Sequence, residues 1–202
     1  MKRFFRERTR AERRQMAYAL AAMYGGAAGL AVVEGLLPGG QETSPGPGVV
    51  AAITVAILLW KGDRLPLPLL ASLGPIGVAL VGVAVATTTD SAPNDGAVLF
   101  VWPVLWTAYY FGRKGAVLIV TCVGVVDALA LLSLPAEAVS IDRWLDVMGT
   151  VAIVAGVVHV LAESLSTEAR VDKLTGLLNR RGFEERAAVE RARAQRLSLI
   201  HI

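Results

Sequence analysis

The chain has 202 residues, 54% of them apolar, a mean hydropathy of +0.55 and a formal net charge of +3. That length suits one ordinary domain or a membrane module with a short appendage, and a soluble domain of this size has too little interior to hide so much apolar surface. The single cysteine, Cys122, sits within an apolar run. This excludes an intrachain disulfide and a cysteine-based metal site, and it leaves Cys122 as a small packing residue.

The charges are distributed unevenly. Residues 1–14 carry nine, residues 163–202 carry fourteen, and the 148 residues between them carry fourteen more, almost all between apolar runs. The basic head at 1–15 resembles a signal-peptide n-region, but the apolar run that follows it is long for a cleaved segment, and more runs come after it. A retained first helix is expected, and Arg13-Arg14 lacks a twin-arginine context.

Six apolar runs follow in order, at 16–37, 49–60, 67–86, 97–111, 116–134 and 145–161. A helix needs roughly 20 apolar residues to cross a hydrocarbon core of about 30 Å. The first, third, fifth and sixth runs meet or approach that length, and the second and fourth are short. Lys and Arg accumulate on the cytoplasmic side of membrane proteins. With six spans, eleven basic residues fall inside (seven in the head, then Lys61, Arg64, Arg113 and Lys114) and only Arg143 falls outside. A four-span arrangement with re-entrant second and fourth runs would strand Lys61 and Arg64 outside. The expectation is therefore an all-α polytopic domain of six transmembrane helices over residues 16–162, multi-pass in the inner (cytoplasmic) membrane, with both termini in the cytoplasm.

Trp60, Tyr109, Tyr110 and Trp144 lie at run ends, where amphipathic rings favour the headgroup level. Trp102 and Trp106 share one face of the fourth run and are expected to pack against neighbouring helices. Three ionisable residues fall inside the runs: Glu34, Asp127 and His159. Such groups are expensive in a membrane and are functional candidates by default. Glu34 and Asp127 both count into the outer half of the bilayer, where together they could hold a cation, a proton or a small ligand. The bland alternative is that Glu34 snorkels and Asp127 bonds a neighbouring helix. Asp127 is the best candidate for signal input, and His159 reads as interfacial. No metal site is expected in the chain.

After the last run the composition changes. Val158, Leu161 and Leu165 continue a helical stripe into residues 163–171, which reads as a signalling helix leaving the bilayer, too short to prove a coiled coil. Next comes Asp172-Lys-Leu-Thr-Gly-Leu-Leu-Asn-Arg-Arg181. Thr175-Gly176 should break the helix, Leu174 and Leu177 should bury, and Asn179 should cap a new helix with Glu184 and Glu185 in its first turn. That helix is expected to reach about residue 196, with a strand starting at 197–202.

This segment resembles the opening of the GGDEF family, the diguanylate cyclase domain, whose opening pattern is D-x-L-T-G-L-x-N-R-R. Asp172, Leu174, Thr175, Gly176, Leu177, Asn179, Arg180 and Arg181 meet its fixed positions. The resemblance covers only residue 172 to about residue 200. It implies an α/β GGDEF domain of which 172–202 is the truncated start. It also implies a homodimer that condenses two GTP into cyclic di-GMP with Mg²⁺ or Mn²⁺. In the family, the metal-binding Asp and the GG[DE]EF loop come after this point, so the 202 residues are expected to be an inactive fragment carrying no catalytic residue and no cofactor. The eight matching residues are expected to be structural, Asp172 pairing with Arg180 or Arg181 across the turn. No nucleic-acid partner is expected. A non-catalytic six-span receptor with a degenerate GGDEF domain is the alternative, and a small transporter is disfavoured by the tail and by the lack of converging charges.

Overall fold

The computed structural model describes residues 9–36, 45–87, 95–132 and 141–168, and in the tail 175, 177–179, 182–183, 186–187, 190–191 and 193–194. Five α-helices run in order: α1 (Arg10–Leu36), α2 (Pro45–Lys61), α3 (Leu67–Ala86), α4 (Val101–Leu132) and α5 (Ile141–Glu168). A 3₁₀ helix, Asp95–Phe100, leads into α4. The chain divides into two units, Met1–His159 and Val160–Ile202.

α1 begins inside the basic head. The Thr9 backbone N–H donates to Glu12 Oε2 at 2.9 Å, and the Glu12 N–H donates to Thr9 Oγ1 at 3.2 Å. This reciprocal capping box satisfies two of the donors that every helix start leaves unpaired. α3 starts on Pro66, whose carbonyl accepts from Leu69 and Leu70, and ends where Thr87 bonds back to the Val83 carbonyl.

The fourth and fifth apolar runs belong to one helical element that reverses direction. Gly112 alone leaves helical geometry, at φ 60° and ψ −156°. A Cβ on Gly77 would lie 3.6 Å from Pro103, one on Gly74 would approach both Thr107 and Ile119, and one on Gly82 would meet Val126. In a straight helix, Pro103 and Val126 would be about 35 Å apart at 1.5 Å per residue. They lie instead beside α3 residues only five positions apart. The arm before Gly112 thus runs antiparallel to α3 and the arm after it runs parallel. Gly115 lets the second arm close on the first, since a Cβ there would sit 2.9 Å from the Thr107 carbonyl oxygen.

This corrects the expectation of six transmembrane helices. Four stretches are long and apolar enough to cross a membrane, Arg10–Val33, Leu67–Ala86, Gly96–Leu132 and Ile141–Ser166, beside the shorter apolar helix Gly46–Lys61. The chain does reverse at Gly112, but the fourth run does not make a full-length helix of its own. Arg113 and Lys114 are helical, and the first arm, Val101–Phe111, adds only about 16 Å of α-helix. The α/β part is likewise not observed: no β-strand occurs among the described residues, and the strand expected at 197–202 lies outside them.

Two cores hold the first unit together. Met16, Ala17, Leu20, Leu58, Leu67, Leu70 and Trp106 form one, with Tyr110 and Phe111 packed against it. Val78, Val85, Phe100, Ile119, Val123, Val151 and Ala155 belong to the other. The first core draws the start of α1, the α2–α3 turn and the α4 reversal to one end of the unit. Arg10, Arg14, Lys61, Arg64, Arg113 and Lys114 therefore share that end, where Lys61 Nζ sits 4.4 Å from the centre of the exposed Trp60 ring.

Candidate functional site

A carboxylate in an apolar helix must be covered, paired or carried to the surface. Asp127 is covered. It is fully buried, and neither carboxylate oxygen has a hydrogen-bond partner among the described residues. It lies 14 positions past Arg113, about 21 Å along the second arm of α4 and so in the half of the unit away from the basic end.

The start of α5 closes this site. Trp144 Nε1 donates to the Gly124 carbonyl oxygen at 3.2 Å. The absence of a side chain at Gly124 admits Met148, whose Sδ lies 3.1 Å from where a Cβ would be. One residue before Trp144, Arg143 is half-buried on the same helix. The site thus sets one buried acid on α4 close to the first turns of α5, which meet α4 at Gly124. Sequence reading found Asp127 but placed Arg143 in an outer loop and Trp144 in an aromatic belt. The meeting of Trp144 and Met148 with Gly124 depends on how α5 registers against α4, which apolar periodicity does not encode.

The other two intramembrane candidates are not brought to this site by any described contact. His159 is half-buried on α5, about 24 Å along the helix from Arg143. Glu34 is within α1, but its side chain lies outside the described residues. Thr107 was missed entirely: it is buried against Gly74 with its Oγ1 unpartnered among the described residues. Trp106 is buried as expected, and its Nε1 donates to the Met16 carbonyl oxygen at 3.0 Å.

In the tail, Asn179 caps as its residue type predicts. Its Oδ1 accepts from the Gly182 N–H at 3.0 Å, and its carbonyl accepts from the Phe183 N–H at 2.9 Å. Thr175 Oγ1 accepts from the Leu177 N–H at 3.4 Å. Leu177, expected to bury, is 69% exposed, and Leu178 and Phe183 are exposed as well. Asp172, Leu174, Gly176, Arg180 and Arg181 lie outside the described residues, as does the proposed pairing of Asp172 with Arg180 or Arg181. Among the described residues no group of three or more His, Cys, Asp or Glu side chains could hold a metal ion.

No protein-family model, curated protein or solved structure matches the chain.

Proposed function

We propose that this chain is the membrane-embedded input region of a GGDEF-type diguanylate cyclase, and that it regulates cytoplasmic synthesis of cyclic di-GMP from two GTP. The run Asp172–Arg181 carries the reading, because eight residues meet the opening pattern of that family at fixed spacing directly after an apolar helix. The capped turn at Asn179 and the uncovered Leu177, Leu178 and Phe183 support it. They suit a segment that docks on further protein. The shared end of the basic residues supports an orientation with that end, and the tail, in the cytoplasm. On this reading the catalytic dimer, its GTP and its metal ions belong to the intact cyclase in the inner membrane.

Asp127 is the input. A proton or ligand arriving there changes the charge close to where Trp144 and Met148 of α5 meet Gly124, and α5 is the helix that leads to the tail. A change in how α5 seats on α4 would pass along that helix to the output segment.

The test starts from the coding DNA beyond codon 202. The expected result is a frame that continues into an Asp-x-Asp pair and a GG[DE]EF loop. Expressed intact, that protein should raise cellular cyclic di-GMP, and Asp127→Asn should change the level at equal expression. A stop at codon 202, or a continuation without those residues, would overturn the cyclase reading. An intact cyclase whose output is the same with Asp127→Asn would remove Asp127 as the input.

A further inference from the structure

Helix bundles normally fill their interiors to crystal-like density. Between α1, α2, α3 and the start of α4, this one does not. A narrow cleft of about 90 Å³ separates the helices, room for a slender chain rather than a bulky ligand. Small residues create it: Ala27, Ala28 and Ala31 of α1, Gly48 and Ala51 of α2, and Gly77 of α3. On α4 the wall is the Trp102 ring, which lies 3.6 Å from the Cβ position of Gly26.

The chemistry of the walls is one-sided. Among the described residues no charged side chain lines the cleft, and only Tyr24 and Trp102 bring a nitrogen or oxygen on a side chain to it. Tyr24 spends its hydroxyl on the Leu73 carbonyl oxygen at 2.5 Å. A polar or charged ligand would lose its hydration here and find almost nothing in exchange. The same helices carry further exposed apolar side chains, Val83 on α3 and Val98 before α4, the kind of surface that faces the hydrocarbon of a membrane.

Length narrows the occupant further. Along α1 the cleft extends from Leu20 to Ala31, about 16 Å at 1.5 Å per residue. A single leaflet is half of a hydrocarbon core of about 30 Å. The lower edge at Leu20 lies about 9 Å along α1 from Arg14, so the cleft fills the middle and far parts of the unit.

We infer that this cleft is a binding site for one hydrocarbon chain of a bilayer lipid, taken from the leaflet away from the basic end. The chain replaces the missing side chains between α1, α2 and α3, and Trp102 closes over it. The site is separate from Asp127 and does not depend on the cyclase reading.

The test uses the full 202-residue chain in lipid nanodiscs. One arm contains phosphatidylcholine with a photoreactive diazirine on its acyl chain, and the other contains a diazirine-bearing isoprenoid alcohol. Adducts are mapped by peptide mass spectrometry after illumination. Labelling should concentrate on Met23, Leu80, Leu99 and Trp102 over the outward-facing Val125 and Leu129 in at least one arm, and the arm that labels identifies straight-chain or isoprenoid lipid. Ala28→Phe and Ala51→Phe fill the cleft and should each lower that labelling about tenfold, whereas Val125→Phe should not. Even labelling of cleft and outward residues in wild type would overturn the inference whether or not the filled variants fold. So would cleft labelling that survives both substitutions in protein with wild-type circular dichroism, or protein–protein adducts in place of lipid adducts at the cleft.

Discussion

Replacing Gly112 with alanine tests the reversal on which the arrangement of α3 and α4 rests. Gly112 has φ 60° and ψ −156°, a region that only glycine enters readily and that charges other residues of order 1–3 kcal/mol. A Cβ there would meet nothing within 4 Å, so no clash adds to the backbone term. Gly112→Ala should therefore destabilise the protein by about 1–3 kcal/mol. Gly156 is the control. It also faces open space, but it lies inside α5, where alanine is the better helix former by about 0.5–1 kcal/mol. Gly82→Ala separates packing from backbone, because its methyl would fall 2.1 Å from Val126 Cγ1 and overpacking of this kind typically costs about 1–3 kcal/mol. Pairing it with Val126→Ala should recover part of that loss, while the same partner change should not rescue Gly112→Ala. The assay is reversible denaturation in mixed detergent micelles, followed by tryptophan fluorescence and helical circular dichroism. If Gly112→Ala proved as stable as Gly156→Ala, the backbone would not be left-handed at 112, and α4 could not fold back along α3.

Three further outcomes follow from individual contacts. Gly124→Ala combined with Met148→Ala should lose less stability than the two single variants together, by about 0.5–3 kcal/mol, because a Cβ at 124 would lie 3.1 Å from Met148 Sδ; strict additivity would separate them. Trp106→Phe should destabilise by about 0.6 kcal/mol, the average for a hydrogen bond between membrane helices, with the effect in micelle denaturation exceeding that of Trp102→Phe, which removes no bond of this kind. Asn179→Ala should destabilise the capped turn by about 0.5–2 kcal/mol, seen as faster amide exchange at Gly182 and Phe183 with exchange in α3 unchanged.

Apolar periodicity read well where one run makes one helix. The run at 67–86 coincides with α3, and those at 49–60 and 145–161 lie within α2 and α5. It failed where polarity and helicity part company. Arg13, Arg14, Arg113 and Lys114 can stay helical because charged side chains at the end of a span reach water without breaking the backbone. The head was therefore read as ending at 15 when α1 starts at Arg10, and Gly112-Arg-Lys-Gly115 was read as a loop. Thr9-x-x-Glu12 was the signal available for the first. For the second, only the glycine within that basic tetrad pointed to the break, and its conformation became necessary once both arms were packed on Gly74.

The same limit governs the candidate site. One carboxylate in a long apolar run has few inexpensive places to go, so Asp127 was visible from sequence alone. Its neighbours were not, because Arg143 and Trp144 come from a different helix whose rotation and height are fixed by Gly124 and Met148. Trp144 illustrates the difference: the same indole that suits a membrane surface also suits a half-buried donor to a backbone carbonyl, and only the presence of the Gly124 oxygen at 3.2 Å decides between them. The acid thus identifies a place worth testing, and the packing of α5 on α4 at Gly124 decides which side chains come near it.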